Sequence, residues 1–147
     1  MLRTILVPCL FLVWVAAPVA ADDDELPEGP IRDRHELMEE IGANAKKIGN
    51  AMKVGATDEI LEPAQALQEA APKVLDLFPK GSVHPRSRAL AAIWADWTEF
   101  ERANARFEAA AGGLVAAAEN GGPFPPAVKK LFDSCKGCHE SFREPED

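Results

Sequence analysis

Cysteine is scarce in this chain. There are three in 147 residues, and Cys9 lies in an apolar N-terminal segment, so only Cys135 and Cys138 remain beyond it. A structural zinc site needs four ligands, often from a second Cys or His pair, and here only the distant, unpaired His35 and His84 are left to help. Positive charge is also short: 16 Lys and Arg face 24 Asp and Glu, for a net charge of −8. So acidic a chain is a poor candidate for binding nucleic acid or anionic membrane surfaces. It can dock to a basic partner, but acidity by itself mostly signals solubility. No segment alternates apolar and polar residues as a half-buried strand does. No internal repeat is evident, and no βαβ pattern accompanies the cysteines. The apolar run Ile5 to Val15 is short of the roughly 20 residues that a spanning helix needs.

That run belongs to a secretory signal peptide. Met1–Ala21 carries one basic residue, Arg3, then the apolar run, then small residues at Ala16, Ala17, Ala20 and Ala21. Val19-Ala20-Ala21 places small side chains at the −3 and −1 positions, so cleavage is expected before Asp22. The expected mature chain, 22–147, is long enough for one domain with its own core. Losing Arg3 takes its formal charge from −8 to −9, with 15 basic residues against 24 acidic.

Near the other end stands Cys135-Lys-Gly-Cys138-His139, with eight residues after it. Two cysteines three apart and then histidine read as a c-type haem attachment site. On a helix, i and i+3 share a face, so both thiols can reach the two vinyl groups of one porphyrin. His139 can then turn its imidazole to the iron. A thioredoxin-like dithiol would want a βαβ context, and chance occurrence is the other competing reading. Export agrees with haem, since c-type haem is attached outside the cytoplasm. With both mature cysteines used by the haem, no disulfide is expected.

Four helical segments follow from period and punctuation. The first is expected over 31–54, with Met38, Ile41, Ala45, Ile48 and Met52 as its apolar stripe. Extending the stripe back one turn reaches Arg34, either a snorkelling helix end or the partner of a buried anion. The second lies within 57–78, capped by Thr57 or Asp58, with Pro63 suited to a first turn and Pro72 placed to kink or divide it. The third is expected over 86–119, with Leu90, Ile93, Trp97, Phe100, Asn104, Phe107, Ala111 and Leu114 facing the core and Gly112-Gly113 as a soft spot. Asn120-Gly121-Gly122-Pro123 stops it. The fourth begins near Pro125 or Pro126 and carries Val128, Leu131, Cys135, Cys138 and Phe142 on one stripe, which puts both haem cysteines on the core face. The fold class is all-α, an antiparallel four-helix bundle with covalently bound haem.

These residues resemble the cytochrome c′/c-556 family, the class II c-type cytochromes. The resemblance covers the whole expected mature chain. It rests on Arg34-x-x-x-Met38, Leu77-Phe78-Pro79, Ile93-Trp94-Ala-Asp-Trp97-x-x-Phe100 and Cys135-x-x-Cys138-His139-x-x-Phe142-Arg143. It implies that Cys135 and Cys138 hold one haem c by thioethers, that His139 is the proximal ligand, and that Arg34 lies near a haem propionate. It puts Met38 at the distal position, which divides the family. A methionine there suits six-coordinate iron of the c-556 type, and thioether ligation raises the potential and favours electron transfer. An open distal site gives five-coordinate iron that binds small gases, as in cytochrome c′. His35, one turn before Met38, is a third candidate, and methionine as core filler remains an alternative for Met38.

The expected function is therefore one-electron transfer in the periplasm with His139/Met38 ligation and no enzymatic turnover. Two alternatives stand beside it: a gas-binding cytochrome c′, and an accessory haem subunit of a larger oxidoreductase. The expected partner is a soluble or membrane-bound redox protein, with no nucleic acid and no stable membrane insertion. The resemblance leaves monomer and homodimer both open.

Overall fold

In a computed structural model of the chain, the described residues are 26–145; the signal-peptide expectation for residues 1–21 lies outside them. Helix α1 spans Pro30–Val54, α2 Leu61–Ala70, α3 Ala92–Ala95, α4 Trp97–Glu119 and α5 Phe124–Phe142. Three short 3-10 turns, Thr57–Glu59, Ala71–Lys73 and Leu75–Leu77, flank α2. Helix α1 packs on α2, α2 on α4, α4 on α5, and α5 back on α1. Short connections make α1 and α2, and α4 and α5, antiparallel pairs, and the two pairs close into a four-helix bundle, with α3 a single turn leading into α4. Among the described residues, no helix is long and apolar enough to cross a membrane.

Helix α1 runs as expected but is rotated. Its buried side chains are Arg34, Leu37, Ile41, Asn44, Ile48 and Ala51. Only Ile41 and Ile48 come from the expected stripe; Met38, Ala45 and Met52 are half-buried beside it. The cause is polar: Asn44 is accommodated inside by donating its amide to Glu40 O at 3.0 Å, and Arg34 is satisfied by a distant loop. Gly55 ends the helix in the left-handed region (φ 77°), its N–H on Ala51 O, a conformation that favours glycine.

The second segment divides at Pro72, as its missing donor requires. The α-helix ends at Ala70 and two 3-10 turns carry the chain to Leu77. Thr57 and Asp58 do not cap α2. They form the preceding 3-10 turn, and Ile60 occupies the cap position without a side-chain bond. Pro63 falls in the first turn, where a missing N–H costs little.

The third helix starts later than expected. Residues 86–90 are a strap along the chain leaving α5: Leu90 N donates to Phe142 O at 3.0 Å, Glu144 N to Arg88 O at 2.8 Å, and Ala89 bridges Arg143. Their backbone groups are satisfied by tertiary partners in place of helical ones. The helix then breaks at Asp96 (φ −132°, ψ 69°), whose carboxylate accepts from Glu99 N at 3.1 Å and caps α4. The spacing Asp96-x-x-Glu99 carries this signal in the sequence. Asp96→Ala is expected to lower stability by about 1 kcal/mol, read by urea denaturation. Gly112-Gly113 produces no break, and α4 is continuous to Glu119. Helix α5 starts at Phe124, one or two residues before the expected prolines.

Candidate haem site

Between the helices lies a cavity of about 440 Å³, within the range of small-ligand and cofactor sites. Helix α1 lines it with Arg34, His35, Met38 and Gly42. Val74 and Phe78 come from the second segment, Ile93 and Phe100 from α3 and α4, and Cys138, His139, Phe142 and Arg143 from α5 and its end. Aromatic rings form part of the wall: Phe100 packs against Phe78 (centroids 4.9 Å apart) and Phe142 (5.2 Å), both edge-to-face. Trp97 lies behind Phe100 at 5.4 Å, and Trp94 donates its indole N–H to Phe78 O and Pro79 O, each at 3.1 Å, holding the segment that carries Phe78.

Four of the five expected site residues meet at this cavity: Arg34, Met38, Cys138 and His139. Cys135 is half-buried one turn earlier on α5 and packs against the core, on the same helix face as Cys138. Burial pushes the Cys138 thiol up to about 11, with Cys135 adding to the effect, and burial also raises Cys135. Among the described residues, no group of three or more His, Cys, Asp or Glu side chains converges.

Arg34 is the most constrained charged group here. It is 4% exposed. One guanidinium nitrogen donates to Ser82 Oγ at 2.9 Å, the other to Ser82 O at 2.9 Å and Ser87 Oγ at 2.6 Å. The ring of Phe78 lies under it, 5.0 Å from the guanidinium carbon, a cation–π contact. All of these partners are neutral, and burial lowers the pKa of the guanidinium. A buried cation without a carboxylate partner is costly, and this one stands in the cavity wall. Arg86, Arg88 and Arg143 also line the cavity, with Glu39 the one carboxylate among the described lining residues.

These features fit a haem. The wall is largely apolar for the macrocycle, the arginines suit two propionates, and the thiols and imidazole stand in attachment order on one helix. Sequence reasoning missed Arg86, Arg88 and Ser87 on the strap and Ser82 in the turn before it, an irregular stretch with no periodic signal. His35 also lines the cavity, but its Nε2 lies 3.5 Å from Glu39 Oε1, its i+4 neighbour on α1.

Fold and site together define a c-type haem protein built on a four-helix bundle. The comparisons with known proteins agree. The family model described as Cytochrome C' matches residues 29–143. Cytochrome c-554 of Cereibacter sphaeroides is 32% identical over 154 residues, covering 94% of this chain and 97% of that protein. The solved cytochrome c' from Rubrivivax gelatinosus superposes with a TM-score of 0.69 at 27% identity, covering 78% of this chain and 94% of that one. Cytochrome c prime from Alcaligenes xylosoxidans, a ferrous variant with bound NO, has the same fold (TM-score 0.72, 20% identity, covering 80% and 94%). The chain belongs to the cytochrome c′ family. Members of that family carry one covalent haem c, and Cys135 and Cys138 stand in the attachment positions of this chain.

Proposed function

We propose that this protein binds a diatomic gas such as nitric oxide or carbon monoxide at its haem, in the periplasm, without turning over a substrate. Family membership supports this reading over a dedicated electron carrier, and the solved Alcaligenes relative holds NO. The observation that carries it is the apolar part of the cavity wall: Met38, Val74, Phe78, Ile93 and Phe100 line the cavity that His139 also lines, and His35 Nε2 lies 3.5 Å from Glu39 Oε1. An apolar wall admits a small neutral gas, and distal polarity and access decide between gas binding and electron transfer.

When bound, haem c supplies an iron that takes axial ligands and changes oxidation state by one electron. Cys135 and Cys138 would anchor it, His139 would bind the iron from α5, and Arg34 would hold a propionate. Met38 would stand at the distal face, where its flexible thioether gates the approach of the gas.

One observation favours a second reading. Met38 lines the same cavity as His139, so its sulfur is a candidate sixth ligand, which gives a one-electron carrier. Optical and EPR spectra of both oxidation states, on the wild type and on Met38→Ala, decide between them. The proposal expects a high-spin wild type that binds carbon monoxide, and faster binding in Met38→Ala. A low-spin wild type that binds carbon monoxide only after Met38→Ala establishes the electron carrier. If both proteins are low-spin, the ligand is His35 and the proposal fails.

A further inference from the structure

A second groove, of about 580 Å³, lies between α4 and α5 and shares no lining residue with the haem cavity. Its α4 side is built at i, i+3, i+4 and i+7 from Arg102, Ala105, Arg106 and Ala109, and its α5 side at the same spacing from Lys130 to Gly137. Small side chains make the floor. Gly137 lies between the two cysteines and has open space where a Cβ would stand. The floor is thus the outward side of the very segment that carries the haem, and a docked group would meet it with little side chain in between.

The rim is positive on an acidic chain. Among the described residues, Arg102, Arg106 and Lys130 line the groove against one carboxylate, Asp133, and Asp133 is itself engaged by Lys129, one turn away. Glu99 accepts from both arginines, at 3.3 and 3.0 Å, which holds them together on α4. With these neighbours counted, four cations face two carboxylates, while the whole chain carries −8. Arg106 is also close enough to act electrostatically on Cys138.

We propose that the α4–α5 groove is the docking surface for the acidic face of an electron-exchanging protein, whose carboxylates Arg102, Arg106 and Lys130 receive. Local charge, not net charge, steers such encounters. One electron passes from the reduced centre of the partner to the ferric haem of this chain. The haem becomes ferrous, the partner is oxidised by one electron, and no bond forms or breaks. The proposal rests on the covalent haem and holds for either reading of the distal face.

The test uses the ferric holoprotein with reduced plant-type ferredoxin, an acidic [2Fe–2S] protein, in stopped-flow experiments at several salt concentrations. The expected rate falls as salt is added, even though both proteins are acidic overall. The double variant R106E/K130E is expected to slow the reaction about tenfold at low salt, with R106Q/K130Q in between. K46E/K47E, the same change in net charge on α1, is expected to leave the rate within about twofold. Calorimetric titration with redox-inert hexacyanocobaltate(III) gives a reading free of electron transfer. Binding is expected in the wild type and in K46E/K47E, and lost in R106E/K130E. A wild-type rate that rises with salt, or equal slowing in the two double variants, overturns the proposal. Spin state and carbon monoxide binding, recorded on the same samples, report separately on the distal reading.

Discussion

Cys135→Ser combined with Cys138→Ser is expected to abolish covalent haem completely, leaving no haem stain on a denaturing gel. Each thiol alone can still form one thioether, so either single variant is expected to keep a stained band. The double variant also loses packing. The cavity measures about 440 Å³, and native interiors hold few voids larger than a water molecule. Without the macrocycle the apolar wall of this cleft has nothing to pack against, so the double variant is expected to be clearly less stable than the holoprotein. The expected product keeps its far-UV helical signal and loses its near-UV signal. Retained haem stain in the double variant would refute the attachment assignment.

Arg34→Met is expected to destabilise the holoprotein by about 3 kcal/mol in urea denaturation. The substitution removes three hydrogen bonds, to Ser82 Oγ, Ser82 O and Ser87 Oγ, and the guanidinium over Phe78. It also removes the cost of burying a charge, so the net loss is smaller than three charged hydrogen bonds would suggest. The strap should loosen with it, and the amides of Ser82 and Ser87, which donate to Pro79 O and His84 O, should exchange faster with deuterium. Arg34→Lys is expected to recover only part of the stability. An ammonium keeps the charge but lacks the planar fork that serves Ser82 and Ser87 together. Unchanged stability and unchanged exchange in Arg34→Met would show that the strap does not depend on this residue.

Arg34 also shows where sequence reading reaches its range. Its place on the inner face follows from spacing along α1, but its partners are 48 and 53 residues away, in a turn and on a strap with no periodicity. The same strap accounts for the late start of the third helix. Residues 86–90 are compatible with a helix by local pattern, and only the chain leaving α5 offers their backbone groups other partners. Met38 and Leu37 are equally apolar neighbours. Which of them enters the core and which borders the cavity depends on the rotation of α1, and buried Asn44 and Arg34 set that rotation through bonds unseen in the apolar stripe. The cap at Asp96 is different, because its Asp-x-x-Glu signal lay in the sequence within an otherwise continuous helical stripe.

By itself the sequence determined the helical class, the count of long segments, the ends of the first at Val54 and of the third at Asn120–Pro123, the division at Pro72, and the attachment motif Cys135-x-x-Cys138-His139. These are local matters: helical period, backbone freedom at glycine and proline, and the reach of two thiols on one helix face act within a few residues. Tertiary structure alone decided the rotation of α1, the strap at 86–90, the arginine-lined cavity and the basic groove between α4 and α5. Those depend on which distant groups satisfy one another's charges and hydrogen bonds once the helices have closed into a ring, and no local pattern encodes that.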